Sequence, residues 1–495
     1  MFKITFKLII FTIILAFVLF YSSQSYYGLP YFLNNDEGSF LKSTLFFFNL
    51  FSDNYKYLSD PFFAPLLNFF LVSFMSLIYG IIKLDIFNLF KYIYYDPALL
   101  ILFGRISSLL ICAMSLILTF LILKKLKISK IIILNIILSL SFSFFYLDIA
   151  IVNGKNSYYL LLFLIQYYLF TKFYIKIEKF NKNSYLLIGF IAGCAWGINY
   201  FCALVSIYSI LILHYKKFKI KNLHFLLFFI FIFFIIGFLP SFYFTKKPLL
   251  DFILGPQSSG VYDLNINERL YKIYESFLRS VKILFFTEKF TFLFLLASVP
   301  FYLKNKSLNL RAFFLFSFVL LFEPIILLIV ASDHVFPQLK YFSASIVIAY
   351  ILGSIVLNNF CNKYNKNYIL ILITVLNLNI VYFKCQQLKI SLNVISGNHN
   401  FYYVINEKID KTLNKETIFF EPHILIRKNL ENLKLYQKLH SNNLISSKWY
   451  QKDTPTLLKR KIDNFDQKFF KSHSNNLNQI IFLCFSNIKK NLTIF

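Results

Sequence analysis

The residues best suited to chemistry lie in a short acidic stretch, Leu33-Asn34-Asn35-Asp36-Glu37-Gly38, about fifteen residues past the first apolar run. A carboxylate held in a partly dry cleft at a membrane surface can take up a proton or hold a divalent cation. A solvated pair in a surface loop is the ordinary alternative. Asp60-Pro61-Phe62-Phe63-Ala64-Pro65 follows downstream. Asp148, close to Tyr146 at the end of the third apolar run, is either a second carboxylate for a cation or acceptor, or simply interfacial. Asp333 and His334 form a pair suited to a metal, but no third ligand stands near them. Glu323-Pro324 sits inside an apolar run, where an ionisable group suggests function. Pro324 also frees backbone groups that Glu323 could satisfy, and the structural role is the simpler one. A divalent cation is the one cofactor these acids suggest.

The elements that position these residues are set by composition. Of 495 residues, 58% are hydrophobic and 20% aromatic, with 65 Phe. So much apolar surface would aggregate in water, whereas a bilayer solvates it. The net charge of +28 resembles that of a nucleic-acid binder. Its distribution excludes that class, because the lysines fall in short loops between apolar runs, where the positive-inside rule puts them. The rest are spread over the C-terminal part. Lys, Asn, Ile and Phe are over-represented together, as a codon bias would produce. Six cysteines show no metal-ligand spacing. Cys112, Cys194 and Cys202 fall in apolar runs and Cys361 in a basic loop. Cys385 and Cys484 are open to a disulfide or to two free thiols.

Basic loops at 124–127, 176–182, 216–219, 304–311 and 358–367 are expected on the cytoplasmic side. Between them lie apolar stretches near 98–123, 131–148, 157–175, 184–214, 223–243, 285–303, 311–330, 341–358 and 367–384. The stretch 184–214 is too long for one span and carries Gly189, Gly193 and Gly197, so it divides into two short helices turning near Asn199. With the first helix, from Ile4 to Tyr21 and retained as a signal anchor, about eleven spans are expected. The N-terminus is then cytoplasmic and the C-terminus outside. This makes 22–97 an outer loop, with the apolar 61–82 a membrane-embedded or juxtamembrane helix on the outer side. An ordinary span there would shift the count by one. A second outer loop, 245–285, contains the turn material Gly255-Pro256-Gln257-Ser258-Ser259-Gly260.

Residues 385–495 differ in kind. Thr417-Ile418-Phe419-Phe420 and residues 479–485 read as short buried strands. Leu430, Leu433, Tyr436 and Leu439 share one helical face, as do Leu458, Ile462, Phe465 and Phe469. The expected architecture is thus an all-α polytopic membrane domain, 1–384, followed by a small extracytoplasmic α/β domain, 385–495. No internal repeat and no nucleotide-binding glycine loop is present.

In layout, residues 1–360 resemble the multi-spanning GT-C glycosyltransferases, nearest to the protein O-mannosyltransferase and aminoarabinose transferase branch. The resemblance rests on few motifs. They are Asp36-Glu37 after the first span, the Pro-containing juxtamembrane helix, and Arg105-Ile106-Ser107-Ser108 leading into the next span with Lys124-Lys125 at its end. The Gly-rich helix pair at Gly189 to Asn199 and Lys340-Tyr341 before a late span complete them. Family members usually carry Arg rather than Lys at the last motif, and Lys where this chain has Asn199. The C-terminal domain resembles nothing that we can name.

The resemblance implies an inverting sugar transfer at the outer face, from a polyprenyl-phosphate-linked donor to a hydroxyl of a lipid, glycan or protein acceptor. Asp36 would be the base and Glu37 its companion. The departing phosphate needs positive charge. Arg105 is the first candidate, although an Arg near an interface also snorkels. Lys340 beside Tyr341 is the second, losing the bidentate geometry of Arg. Lys155, in Asn153-Gly154-Lys155-Asn156, is the third. A transporter or flippase of a lipid-linked substrate is the rival from another class. It would be expected to show repeated halves and mid-membrane charges, and this chain has asymmetric outer loops instead. A non-catalytic membrane scaffold is a third possibility.

Overall fold

The computed structural model describes residues 2–25, 62–83, 97–219, 221–245, 342–364 and 381–386. It also describes scattered helical residues between 37 and 47 and between 271 and 380, and the segments 417–420 and 479–482. The main helices are α1 (Phe2–Ser25), α2 (Phe63–Lys83), α3 (Pro97–Lys125), α4 (Lys130–Ser141), the short α5 (Tyr146–Ile149) and α6 (Lys155–Ile175). They continue with α7 (Lys182–Trp196), α8 (Leu204–Phe218), α9 (His224–Phe233), α10 (Leu239–Thr245) and α11 (Ser343–Tyr364).

Among the described residues, six helices are long and apolar enough to cross a membrane: Phe6–Ser23, Phe63–Lys83, Leu99–Lys125, Lys155–Ile175, His224–Phe244 and Ser343–Asn362. Backbone groups cannot be left unpaired in hydrocarbon, so apolar runs of this length close their hydrogen bonds internally as helices. The apolar side chains also point outward, as with Leu227, Phe231 and Phe74. A large apolar exterior over helices of spanning length is the form of an integral membrane protein with a lipid bilayer as its solvent.

Two features refine the sequence expectations. The run 131–148 is not one helix. α4 stops at Ser141, and a turn at Phe142–Phe145 leads into α5. The turn is held by packing on α1: Phe20 meets Phe142 at 5.8 Å, and Phe17 meets Tyr146 at 4.8 Å edge-on. The run 184–214 does divide where expected, with α7 ending at Trp196, a 3-10 turn over Tyr200–Ala203, and α8 beginning at Leu204. Each half has 15 residues, about 22 Å of helix against about 30 Å of hydrocarbon.

The glycines of α7 explain its neighbour. A Cβ on Gly189 would lie 2.8 Å from the Phe229 carbonyl oxygen, and one on Gly193 would lie 2.9 Å from the Ile236 Cβ. The i, i+4 glycines therefore let α7 meet α9 backbone to backbone, the small-residue contact that packs helices in lipid. The opposing helix accommodates this with a π-helical turn at Phe234–Phe238, and a Cβ on its Gly237 would lie 2.7 Å from the Gly193 Cα.

By internal packing the chain falls into two units. One comprises Met1–Ser25, Phe40–Leu71 and Arg105–Leu392; the other comprises Tyr26–Ser39, Val72–Gly104 and Asn393–Phe495. In the first, α4 is joined to the helical residues between 374 and 386 by a polar ladder. Asn135 Nδ2 donates to Thr374 Oγ1 at 2.9 Å, Ser139 Oγ donates to Asn377 Oδ1 at 2.5 Å, and Asn377 Nδ2 donates to the Asn135 carbonyl at 2.9 Å. In the second unit, β1 (Thr417–Phe420) pairs in parallel with β2 (Gln479–Phe482). Both strands fall where the sequence indicates them; the two amphipathic helices expected near 430–439 and 458–469 lie outside the described residues.

Candidate functional site

Of the sequence-selected residues, Arg105 and Glu37 are each 0% exposed. The Arg105 side chain is enclosed by protein. Its Nη1 donates to the Ser25 carbonyl at 3.0 Å. Ser25 is the last residue of α1, where carbonyls lack helical partners and the dipole is negative. The sequence folds this way because α1 is followed by no basic residue in its last turn, leaving its end to be satisfied from another helix. Arg105 therefore closes α1 as well as bringing positive charge to the first third of α3.

Glu37 is helical, as are Phe40, Leu41, Ser43, Thr44 and Phe47. Phe40, Leu41, Ser43, Thr44 and Phe47 belong to the first unit. Thr44 is anchored by a buried hydrogen-bond chain. Thr44 Oγ1 donates to the Phe40 carbonyl at 3.1 Å, Asn68 Nδ2 donates to Thr44 Oγ1 at 2.8 Å, and Tyr158 Oη donates to Asn68 Oδ1 at 2.9 Å. Phe40 packs on Tyr158 with ring centroids 5.9 Å apart. Sequence reasoning did not select Asn68, Thr44 or Tyr158. The available signal was Asn68 itself, an amide one helical turn into an apolar helix, which must find partners or carry a desolvation cost.

The start of α2 docks on the break between α7 and α8. Phe63 and Ala64 N–H groups donate to the Gly197 carbonyl at 2.7 and 3.3 Å. A Cβ on Gly197 would lie 2.6 Å from the Phe63 Cβ, so only glycine permits this approach. Across the break, Gln166 Oε1 accepts from Ser206 N at 3.1 Å and Ser206 Oγ at 2.7 Å, satisfying the N-terminus of α8.

Lys155 opens α6 behind Gly154, half-buried, with no acid in the first turn. A cation at a helix N-terminus opposes the dipole, so α6 begins with a concentration of positive charge. Asp148 lies in α5, its side chain outside the described residues. Asp36, His334, Lys340 and Tyr341 also lie outside them, with Asp60 and Glu323. The structure thus ties Arg105 to α1. Among the described residues no three His, Cys, Asp or Glu side chains form a metal-binding group. Cys112, Cys194, Cys202 and Cys361 are buried free thiols and Cys385 is a half-buried one.

No family model matches the chain, and no curated protein matches it.

Proposed function

We propose that the protein is a membrane glycosyltransferase that moves a sugar from a polyprenyl-phosphate carrier to an acceptor hydroxyl on the outer face of the membrane. What supports this reading is a buried Arg105 in the first third of α3, in a chain whose sequence places the acidic pair Asp36-Glu37 soon after the first apolar helix. Asp36 takes the proton from the acceptor hydroxyl and Glu37 stays beside it. The acceptor oxygen attacks the anomeric carbon from the face opposite the leaving group. Polyprenyl phosphate departs toward Arg105 and Lys340, with the positive start of α6 at Lys155 a further attraction. Tyr341 flanks Lys340, and Asp148 and His334 are the nearest groups by sequence for an acceptor or a divalent cation.

The helix-end contacts are compatible with the side-by-side grouping of ends that this reading needs. Helix-end contacts in the first unit join ends that the lysine pattern assigns to one side. On the outer side Ser25 meets Arg105, Phe63 meets Gly197, and Asn68 meets Tyr158. On the cytoplasmic side Phe6 meets Phe120 at 6.3 Å, Ser129 N donates to Asn358 Oδ1 at 2.9 Å, and Lys216 Nζ donates to the Tyr174 carbonyl at 3.0 Å. Within the second unit Tyr79 packs on Phe103 at 5.9 Å.

The transporter reading draws on one observation, the broken helix at 197–203, since transporters bind substrate at such breaks. Here Gln166 already occupies the α8 N-terminus, which weakens it. The test is sugar transfer from radiolabelled total polyprenyl-phosphate-sugar extract by purified protein. Transfer by the native chain and none by a folded Asp36→Asn variant is the expected result. Equal transfer by both would remove Asp36 as the base, and no transfer by either from a competent extract with acceptors present would favour the transporter.

A further inference from the structure

Between residues 172 and 224 eight lysines face a single acid, Glu178. They sit in two turns, one leading from α6 to α7 and one from α8 to α9. The turns are bound together: Lys216 Nζ donates to the Tyr174 carbonyl at 3.0 Å and lies 3.6 Å from the centre of its ring, and Lys217 Nζ donates to the carbonyls of Glu178 and Phe180. These two lysines satisfy the C-terminal end of α6 and the turn beyond it. Lys182 lies 4.2 Å over the Phe228 ring. Lys176, Lys179, Lys219 and Lys221 remain exposed on the same double turn.

The turn at Lys219 is strained. Its φ of 54° and ψ of −114° belong to a region that side-chain-bearing residues rarely adopt. Two hydrogen bonds hold it, Lys219 N to the Tyr215 carbonyl and Lys221 N to the Phe218 carbonyl, each 3.0 Å. The lysines are thus projected by a fixed backbone. Large apolar side chains stand exposed among them: Tyr215 at 69%, Leu223 at 55% and Ile175 at 44%.

We propose that the joined lysine turns 172–182 and 216–221 form a binding surface for the headgroups of anionic phospholipids in the leaflet they face. The charge selects a phosphate-bearing partner. The interleaved Tyr215, Leu223 and Ile175 select a lipid over a soluble polyanion, because an acyl chain beside the phosphate covers them and a polyglutamate or a nucleic acid does not. The surface does not depend on the glycosyltransferase reading.

The test is titration of the purified full chain in detergent with phosphatidylglycerol and with phosphatidylcholine, read by native mass spectrometry. The protein is compared with a variant carrying Lys176→Gln, Lys179→Gln, Lys219→Gln and Lys221→Gln. A control of equal charge removal carries Lys459→Gln, Lys461→Gln, Lys489→Gln and Lys490→Gln. Attraction to a fully anionic leaflet is worth up to roughly fivefold per lysine, and only part of it is kept for a single lipid in detergent, so phosphatidylglycerol affinity is expected to fall by at least about tenfold in the first variant. The control stays near the native value, and phosphatidylcholine binding is unchanged in both. If the fourfold variant does not fold, Lys176→Gln with Lys179→Gln alone is expected to lose about threefold or more. Unchanged phosphatidylglycerol affinity, an equal loss in the control, or equally tight polyglutamate binding lost in the same variant would overturn the proposal.

Discussion

Asn68 has two buried partners and no access to water, and it links the residues around Thr44 to α6. Its amide accepts from Tyr158 and donates to Thr44. Interhelical hydrogen bonds in membrane proteins average about 0.6 kcal/mol and reach about 1.7 kcal/mol. A double-mutant cycle of Asn68→Leu and Tyr158→Phe, read by unfolding in mixed micelles, should therefore give a coupling within that range. A coupling near zero would mean that the two do not support each other. At this scale the sequence was partly legible. Asp36-Glu37 and Arg105 stand out because charges in an apolar chain are few. The partners of Arg105 were not legible, because a carbonyl acceptor such as that of Ser25 has no side-chain identity to read. Asn135 and Asn377, separated by more than 200 residues, could not be paired without the fold.

The helices were legible at their type and often at their limits, since an apolar run in lipid has few alternatives to a helix. The division of 184–214 followed from length and from the glycines, and the structure turns at 197–203 as expected. The interruption of 131–148 was not legible, because aromatic packing from α1 causes it rather than a local breaker. The π-turn of the following helix was likewise hidden: it answers Gly193 across the interface. This interface makes a quantitative claim. Gly193→Leu forces a side chain into space held by Ile236 and the Gly237 backbone, and overpacking of this kind costs about 1–3 kcal/mol. Gly154→Ala meets nothing within 4 Å, and at an N-cap it is expected to cost below about 1 kcal/mol. Thermal unfolding of the two variants in one detergent should separate them clearly. Equal midpoints would mean that α7 and α9 do not meet through these glycines.

At the scale of the whole molecule, the lysine pattern and the helix-end contacts agree on which ends belong together. The two come from different physics, one from charge at the membrane surface and the other from packing inside it. The C-terminal part was legible only as two short strands, which pair in parallel. What joins them depends on residues whose amphipathic pattern alone does not fix a topology. The account requires the acidic loop and the 245–285 loop to share one side of the membrane, opposite the lysine turns. Impermeant maleimide labelling of intact cells measures this directly, in a chain whose six native cysteines are replaced by serine. Single Asn35→Cys and Gln257→Cys variants are predicted to label without permeabilisation, and Lys179→Cys only after it. Asn35→Cys labelling only in permeabilised cells would put the acidic pair on the cytoplasmic side and contradict the account.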